Sequence, residues 1–164
     1  MDCCARNSAG AREACPACKQ VGRPVADATI RAMLDPEQAA RLLSAKRRFC
    51  RTPSCEVLYY GPEGRVARKQ DARVRVGLKE TEDPIPLCYC FGFNRADVER
   101  EIAQTGGCAI PALIASEIRA GRCACEIKNP SGACCLGDVR AAVGEALQRA
   151  GSPLARKRVA TDGS

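Results

Sequence analysis

Thirteen cysteines and no histidine occur among 164 residues, so any metal or redox chemistry in this chain is sulfur chemistry. Apart from Cys108 the cysteines come in close pairs: Cys3-Cys4, Cys15-Pro16-Ala17-Cys18, Cys50 with Cys55, Cys88-Tyr89-Cys90, Cys123-Ala124-Cys125 and Cys134-Cys135. A secreted disulfide framework is the other use of so many thiols. The odd count, the tight pairing and a start (Met1-Asp2-Cys3-Cys4) without the apolar core of a signal peptide oppose it. Thiolate–metal ligation in a reducing cytoplasm is the expectation.

Two of the pairs make a zinc pattern. Cys15-Pro16-Ala17-Cys18 is a C-x-x-C turn that places two sulfurs on one tetrahedral ion. Cys50-Arg51-Thr52-Pro53-Ser54-Cys55 is a second half-site, whose Pro and Ser favour the bend that aims both thiolates inward. Four protein ligands close such a site and leave no position for substrate, so a zinc held by Cys15, Cys18, Cys50 and Cys55 is structural.

The six cysteines from Cys88 to Cys135 point to a second centre. In an extended segment residues i and i+2 share a face, so Cys88 and Cys90 reach toward one metal site together. Adjacent residues cannot readily aim at the same iron. One sulfur from each later pair, Cys123 or Cys125 and Cys134 or Cys135, would complete four thiolates for a [2Fe-2S] core. A second zinc site is the competing assignment, because thiolates alone do not distinguish the two metals. Cys3-Cys4 is a candidate capture site for a transported soft ion, since adjacent thiolates suit copper(I), zinc or mercury. Cys108 reads as a small residue filling a helix–helix turn.

The elements that must position these sulfurs follow from periodicity. Val25 to Ala45 reads helical with Ile30, Met33 and Leu34 on one face, interrupted at Asp35-Pro36, with Leu42 and Leu43 on the second piece. Glu56-Val57-Leu58-Tyr59-Tyr60, a turn at Gly61-Pro62-Glu63-Gly64, and Arg65 to Lys69 read as a hairpin. Residues 70–87 read as polar and extended, with two prolines before Cys88. Asn94 with Asp97 forms a capping box for a helix carrying Val98 and Ile102 and closed by Gly106-Gly107. Pro111 opens a helix with Leu113, Ile114 and Ile118 inward, and a third runs from about Asp138 to Ala150 with Val139, Val143 and Leu147 inward. The start of that last helix points its positive dipole end toward the anionic cluster. The fold class expected is α+β: residues 1–14 a mobile Cys-Cys arm, 15–83 a small metal-stabilised zinc module with a short β-hairpin, 84–150 a helical [2Fe-2S] domain, and 151–164 a disordered basic tail.

Composition agrees with metal dependence. Six residues are aromatic and none is Trp, so large core side chains are scarce and bound metal is the natural source of cohesion. The formal charge is +7 with every thiol neutral. Eight thiolates set against a zinc and a two-iron core of about +2 each would bring it to roughly +3. The basic excess therefore says little about nucleic acid, and sparse aromatics with scattered basic residues argue against such a partner. No apolar run approaches the length of a membrane span. No nucleophile motif or phosphate loop is present, and with no histidine any catalysis would be redox.

Longer phrases carry a resemblance. Cys-x-Cys, two helices and a late cysteine pair before a third helix is similar to the bacterioferritin-associated ferredoxin (BFD) type of [2Fe-2S] domain. Arg23-Pro24-Val25, Phe49-Cys50, Val76-Gly77-Leu78-Lys79-Glu80-Thr81, Pro86-Leu87-Cys88-Tyr89-Cys90-Phe91-Gly92-Phe93, and Ala120-Gly121-Arg122-Cys123-Ala124-Cys125-Glu126 through Asn129-Pro130 to Cys134-Cys135-Leu136-Gly137 extend it. Together they resemble the iron-sulfur cluster-binding metallochaperone family, which includes the N-terminal half of CopZ-type copper chaperones. The resemblance covers roughly residues 3–148. It implies a cytoplasmic protein with one zinc on Cys15, Cys18, Cys50 and Cys55. A [2Fe-2S] cluster would sit on Cys88, Cys90, Cys125 and Cys135, with Cys123 and Cys134 as alternates. It further implies a role with copper(I) or another soft metal ion, with a copper-transporting ATPase or a separate copper-binding domain as partner. CopZ-type chaperones carry copper on a domain with a Met-x-Cys-x-x-Cys loop, and these 164 residues contain no such loop. Two functions follow as expectations: a metallochaperone whose cluster supplies an electron, or a one-electron ferredoxin-like carrier without metal transfer.

Overall fold

The computed structural model describes residues 13–43 and 46–151. The Cys3-Cys4 pair and, Gly151 apart, the basic tail lie outside the described residues. The chain divides into two compact units: Met1–Glu80 with Glu126–Ala133, and Thr81–Cys125 with Cys134–Ser164. The sequence placed the division at 83/84 and kept 126–133 with the helical part; here the second unit starts at Thr81 and the 126–133 segment groups with the first.

The first unit mixes helix and sheet. Strands β1 (Arg23–Pro24), β2 (Arg48–Phe49), β3 (Val57–Tyr60) and β4 (Val66–Arg68) form one antiparallel sheet in that order. The expected hairpin is β3–β4, while β1 and β2 are two-residue strands too short to announce themselves by alternation. Every residue of β3 is buried. A register irregularity between Val57 and Tyr59 breaks the two-residue alternation, and adjacent Leu58 and Tyr59 join one cluster with Ile30, Met33, Leu34, Leu42, Phe49 and Val76. Val57 and Tyr60 instead pack with Cys15, Cys50 and Cys55. Helices α1 (Asp27–Met33) and α2 (Pro36–Leu42) supply the aliphatic side of the first cluster. They break where the sequence expects it, with Asp35 Oδ1 accepting from the Gln38 N–H at 2.9 Å and Pro36 at the first helical position. Gly22 is required by close approach: a Cβ there would lie 2.3 Å from the Phe49 carbonyl oxygen.

Residues 69–80 are not extended. They fold into two 3-10 turns, Lys69–Asp71 and Gly77–Lys79, and bury Val76 and Lys79. The Glu126–Ala133 segment belongs to this unit through two long-range bonds: the Tyr59 hydroxyl donates to the Pro130 carbonyl at 2.5 Å, and the Thr29 hydroxyl to the Glu126 carbonyl at 2.7 Å.

The second unit is a short hairpin of β5 (Pro86–Cys88) and β6 (Phe93–Asn94) followed by α3 (Arg95–Thr105), α4 (Ile110–Arg119) and α6 (Leu136–Arg149), with a single turn α5 (Cys125–Lys128) starting at its edge. Asn94 and Asp97 make the capping box in both directions at 3.0 Å, and Gly106, at φ 75°, closes α3 in the left-handed conformation. The core is Val98, Ile102, Ile110, Ile114, Val139, Val143 and Ala146 together with Cys88 and Cys135. Leu113 corrects the sequence reading: it is 54% exposed, because the buried stripe of α4 is Ile110, Ile114 and partly buried Ile118 at four-residue spacing. The α+β class is as expected. Among the described residues no helix is long and apolar enough to cross a membrane.

Candidate metal centres

The first centre is built from two bends held by backbone. The Cys15–Cys18 turn closes when the Cys15 N–H donates to the Gln20 carbonyl at 2.8 Å and the Lys19 N–H to the Cys15 carbonyl at 2.9 Å. Lys19 takes the left-handed conformation at φ 63°, and its ammonium donates to the Pro16 carbonyl at 2.6 Å. Cys50 hangs from β3 through its N–H to the Leu58 carbonyl at 2.8 Å, and the Cys55 N–H closes the second bend on the Thr52 carbonyl at 3.2 Å. The four sulfurs of Cys15, Cys18, Cys50 and Cys55 all lie within 4.8 Å of one another. Cys18 and Cys50 are 3.6 Å apart, Cys15 and Cys55 3.9 Å. A zinc–sulfur bond of about 2.3 Å gives tetrahedral edges of roughly 3.8 Å, so this donor set fits zinc.

The four thiols are electrostatically unequal. Burial pushes Cys15 up despite N–H donation from Cys18 and Ala17. It pushes Cys50 to about 12 against the Thr52 N–H and the charge of Lys79. Burial opposes ionisation at Cys18 too, but the Thr52 hydroxyl at 3.1 Å and the Gln20 N–H pull it down to about 6. Thr52 was not singled out from the sequence; a hydroxyl inside a C-x4-C half-site is the signal that could have found it.

The second set behaves differently. Cys88 ends β5 and is buried, Cys90 sits in the turn before Gly92, Cys125 opens α5, and Cys135 is the buried N-cap of α6. Cys90 and Cys125 Sγ are 3.6 Å apart, and the Ala124 N–H donates to Cys90 Sγ at 3.2 Å. Cys88 and Cys135 are hydrogen-bonded to each other; that bond brings the Cys88 thiol to about 6 and pushes Cys135 up, with burial adding to the second shift. Burial and Cys90 together push Cys125 to about 12. Of the alternates, Cys123 is half-buried and Cys134 exposed. Among the described residues only the first set brings three or more ligand atoms within 4.8 Å of one another. The second set is two sulfur pairs, which is what a two-iron core needs: each iron takes two protein thiolates. The N–H donors around these sulfurs, Ala124 on Cys90 and Cys135 on Cys125, suit an anionic cluster.

Cys108 stands apart from both sets. Its thiol donates to Glu101 Oε2 at 3.1 Å and is pushed up to about 11 by burial and by that carboxylate. Glu101 Oε1 also accepts from the Ala109 N–H at 2.9 Å, so the pair ties down the α3–α4 turn.

Residues 12–73 match the zf_CopZ family, described as a zinc binding domain. Over 123 residues the chain is 36% identical to the copper chaperone CopZ of Archaeoglobus fulgidus, covering 74% of this chain and 57% of that protein. The chain thus spans little more than half the length of that curated relative. The X-ray structure of the Archaeoglobus fulgidus CopZ N-terminal domain superposes with a TM-score of 0.62 at 29% identity, covering 85% of this chain and 98% of that one.

Proposed function

We propose that this protein is a metallochaperone that carries a structural zinc and a [2Fe-2S] cluster and handles copper or another soft metal ion. The observation that carries the reading is the contrast between one sulfur quartet and two sulfur pairs in a chain similar to a copper chaperone. Zinc on Cys15, Cys18, Cys50 and Cys55 holds the first unit together. Cys88, Cys90, Cys125 and Cys135 would hold the cluster. When bound, a [2Fe-2S] group supplies one-electron chemistry, enough to convert copper(II) to copper(I), the ion that thiolates bind best. The chain's own residues bury Cys88 and Cys135, donate N–H groups to the sulfurs and keep the cluster edge at Cys90 and Cys125 half-exposed, where an electron can pass. Capture of the ion falls to Cys3-Cys4, with a copper-transporting ATPase or a separate copper-binding domain as recipient and a cytoplasmic setting. A second reading, a one-electron carrier without metal transfer, rests on the burial of Cys88 and Cys135, which suits a resident cluster, and on the lack of a Met-x-Cys-x-x-Cys loop within these 164 residues.

Purification without oxygen, followed by iron, sulfide and zinc analysis and a visible spectrum, tests the cofactor part. Two irons, two sulfides and one zinc per chain are expected; two zincs and no sulfide would sink both redox readings. Copper(I) uptake against a chromogenic chelator then separates the two functions. The chaperone reading expects Cys3→Ser with Cys4→Ser to weaken uptake, and the carrier reading expects no change.

A further inference from the structure

Lys79 is 6% exposed, an unusual place for an ammonium. Its Nζ donates to the carbonyls of Thr52 at 2.7 Å and Cys55 at 2.8 Å, both in the second zinc half-site. Those acceptors are neutral. The neighbouring carboxylate, Glu80, is taken by Lys69 at 3.2 Å and Arg75 at 2.8 Å. The Cys50 sulfur lies close enough to interact with the Lys79 charge; four thiolates around one zinc would leave a net charge of about −2, and a buried charge of that size is costly without a partner. The side chain is aimed by its own segment. Val76 is buried in the core, the 3-10 turn Gly77–Lys79 closes with the Lys79 N–H on the Val76 carbonyl at 2.7 Å, and Lys69 Nζ holds the Lys79 carbonyl at 3.0 Å. The Thr52 carbonyl that Lys79 holds also accepts the Cys55 N–H, and the Thr52 hydroxyl reaches Cys18. One ammonium therefore fixes a bend that touches three of the four ligands. Lys79 lies beyond the 12–73 stretch that matches the zinc binding domain.

We propose that Lys79 is a positioning residue for the four-thiolate site, clamping the Cys50–Cys55 bend through two carbonyls and supplying the positive charge that offsets the anionic zinc centre. The inference rests on the zinc reading of Cys15, Cys18, Cys50 and Cys55, and the experiment separates the two. Zinc is first measured in the unaltered full chain; less than stoichiometric zinc there overturns the zinc reading, whatever Lys79 does. With zinc present, its release to a coloured chelator is timed in Lys79→Met and Lys79→Arg. Release from Lys79→Met is expected to be roughly 10–100-fold faster, the usual cost of losing a group that supports metal ligands, and release from Lys79→Arg close to native. Equal rates in the unaltered chain and Lys79→Met overturn the proposal. Cobalt(II) in place of zinc gives a readout that packing alone does not move. Loss of the nearby positive charge shifts the thiolate-to-cobalt charge-transfer band of Lys79→Met to longer wavelength and leaves that of Lys79→Arg in place, whereas an unmoved band in both overturns the charge role. If Lys79→Met does not accumulate folded, Lys79→Gln, which keeps an N–H donor without the charge, is compared with Lys79→Arg. Fast release in the first and slow release in the second is required, and equal release overturns the proposal.

Discussion

The two cysteine sets use the same donor atom and nearly the same local devices, a bend in the backbone and N–H groups aimed at sulfur, yet they are arranged differently. Cys15, Cys18, Cys50 and Cys55 converge on one point from two bends, one spanned by the isolated Ala14–Val21 bridge and one between β2 and β3. Cys88 ends β5 while Cys90 already lies in the turn after it, so the two do not share one face of a strand as the i, i+2 spacing suggested, and each finds its own partner, Cys135 and Cys125. Convergence on a point suits one ion, and two separate pairs suit two bridged ions. Sulfur chemistry alone does not choose the metal, so the spacing that the backbone gives the sulfurs is what distinguishes the two sets.

The largest effect expected from that contrast is on stability. Cys50→Ser removes a ligand from the quartet, and because structural zinc contributes on the order of 10 kcal/mol to folding, the first unit should lose both zinc and resistance to protease. Cys90→Ser should lose visible colour and keep its zinc. Metal analysis with limited proteolysis on both variants checks this, and loss of zinc from Cys90→Ser would break the division into separate centres.

Next come the choices within the late pairs. Cys125→Ser and Cys135→Ser are expected to abolish the cluster spectrum, because Cys125 lies 3.6 Å from Cys90 and Cys135 is bonded to Cys88. Cys123→Ser and Cys134→Ser should keep it, the latter replacing an exposed thiol. Visible absorbance of the four proteins, purified without oxygen, is the measurement; colour surviving in Cys135→Ser would reassign the pair.

Much of this was legible in the residues, and what was not has a physical reason. The C-x-x-C and C-x4-C bends, the Asn94–Asp97 box and the Gly106 stop are local devices whose geometry is written within a few residues. Strands of two residues, such as Arg48–Phe49, are too short to show a period. Lys79 entered the sequence reading only within the phrase Val76 to Thr81, with no role of its own, since its acceptors are 24 and 27 residues away. The Tyr59–Pro130 bond spans 71 residues, so nothing in the neighbourhood of Asn129-Pro130 could assign that segment to the first unit. Spacing narrowed the late pairs to one sulfur each, but which sulfur faces inward depends on where α5 and α6 begin, and α6 starts at Leu136 rather than near Asp138.

Tyr59→Phe sharpens the comparison from the zinc side. The hydroxyl is buried and its loss leaves the Pro130 carbonyl unpaired, at a cost of about 1–3 kcal/mol. Denaturant unfolding should show that loss, hydrogen exchange should show faster opening in 126–133, and zinc should stay bound because no ligand bend involves Tyr59.

The smallest effect belongs to the second unit. Asn94 Oδ1 accepts the Asp97 N–H and Asp97 Oδ2 accepts the Asn94 N–H, both at 3.0 Å, so Asn94→Ala removes one half of a reciprocal cap and leaves a first-turn donor to water. A cost of about 1 kcal/mol is expected, against a few tenths for Asn94→Gly and almost none for Asn94→Asp, which keeps an acceptor oxygen. Because the cap sits in the second unit while the zinc quartet is in the first, chelator-driven zinc release should be the same in all three. Thermal unfolding of the cluster-loaded chain, followed by visible colour, should rank the variants in that order. A cap variant that also sped zinc release would mean that the two units do not hold their metals independently.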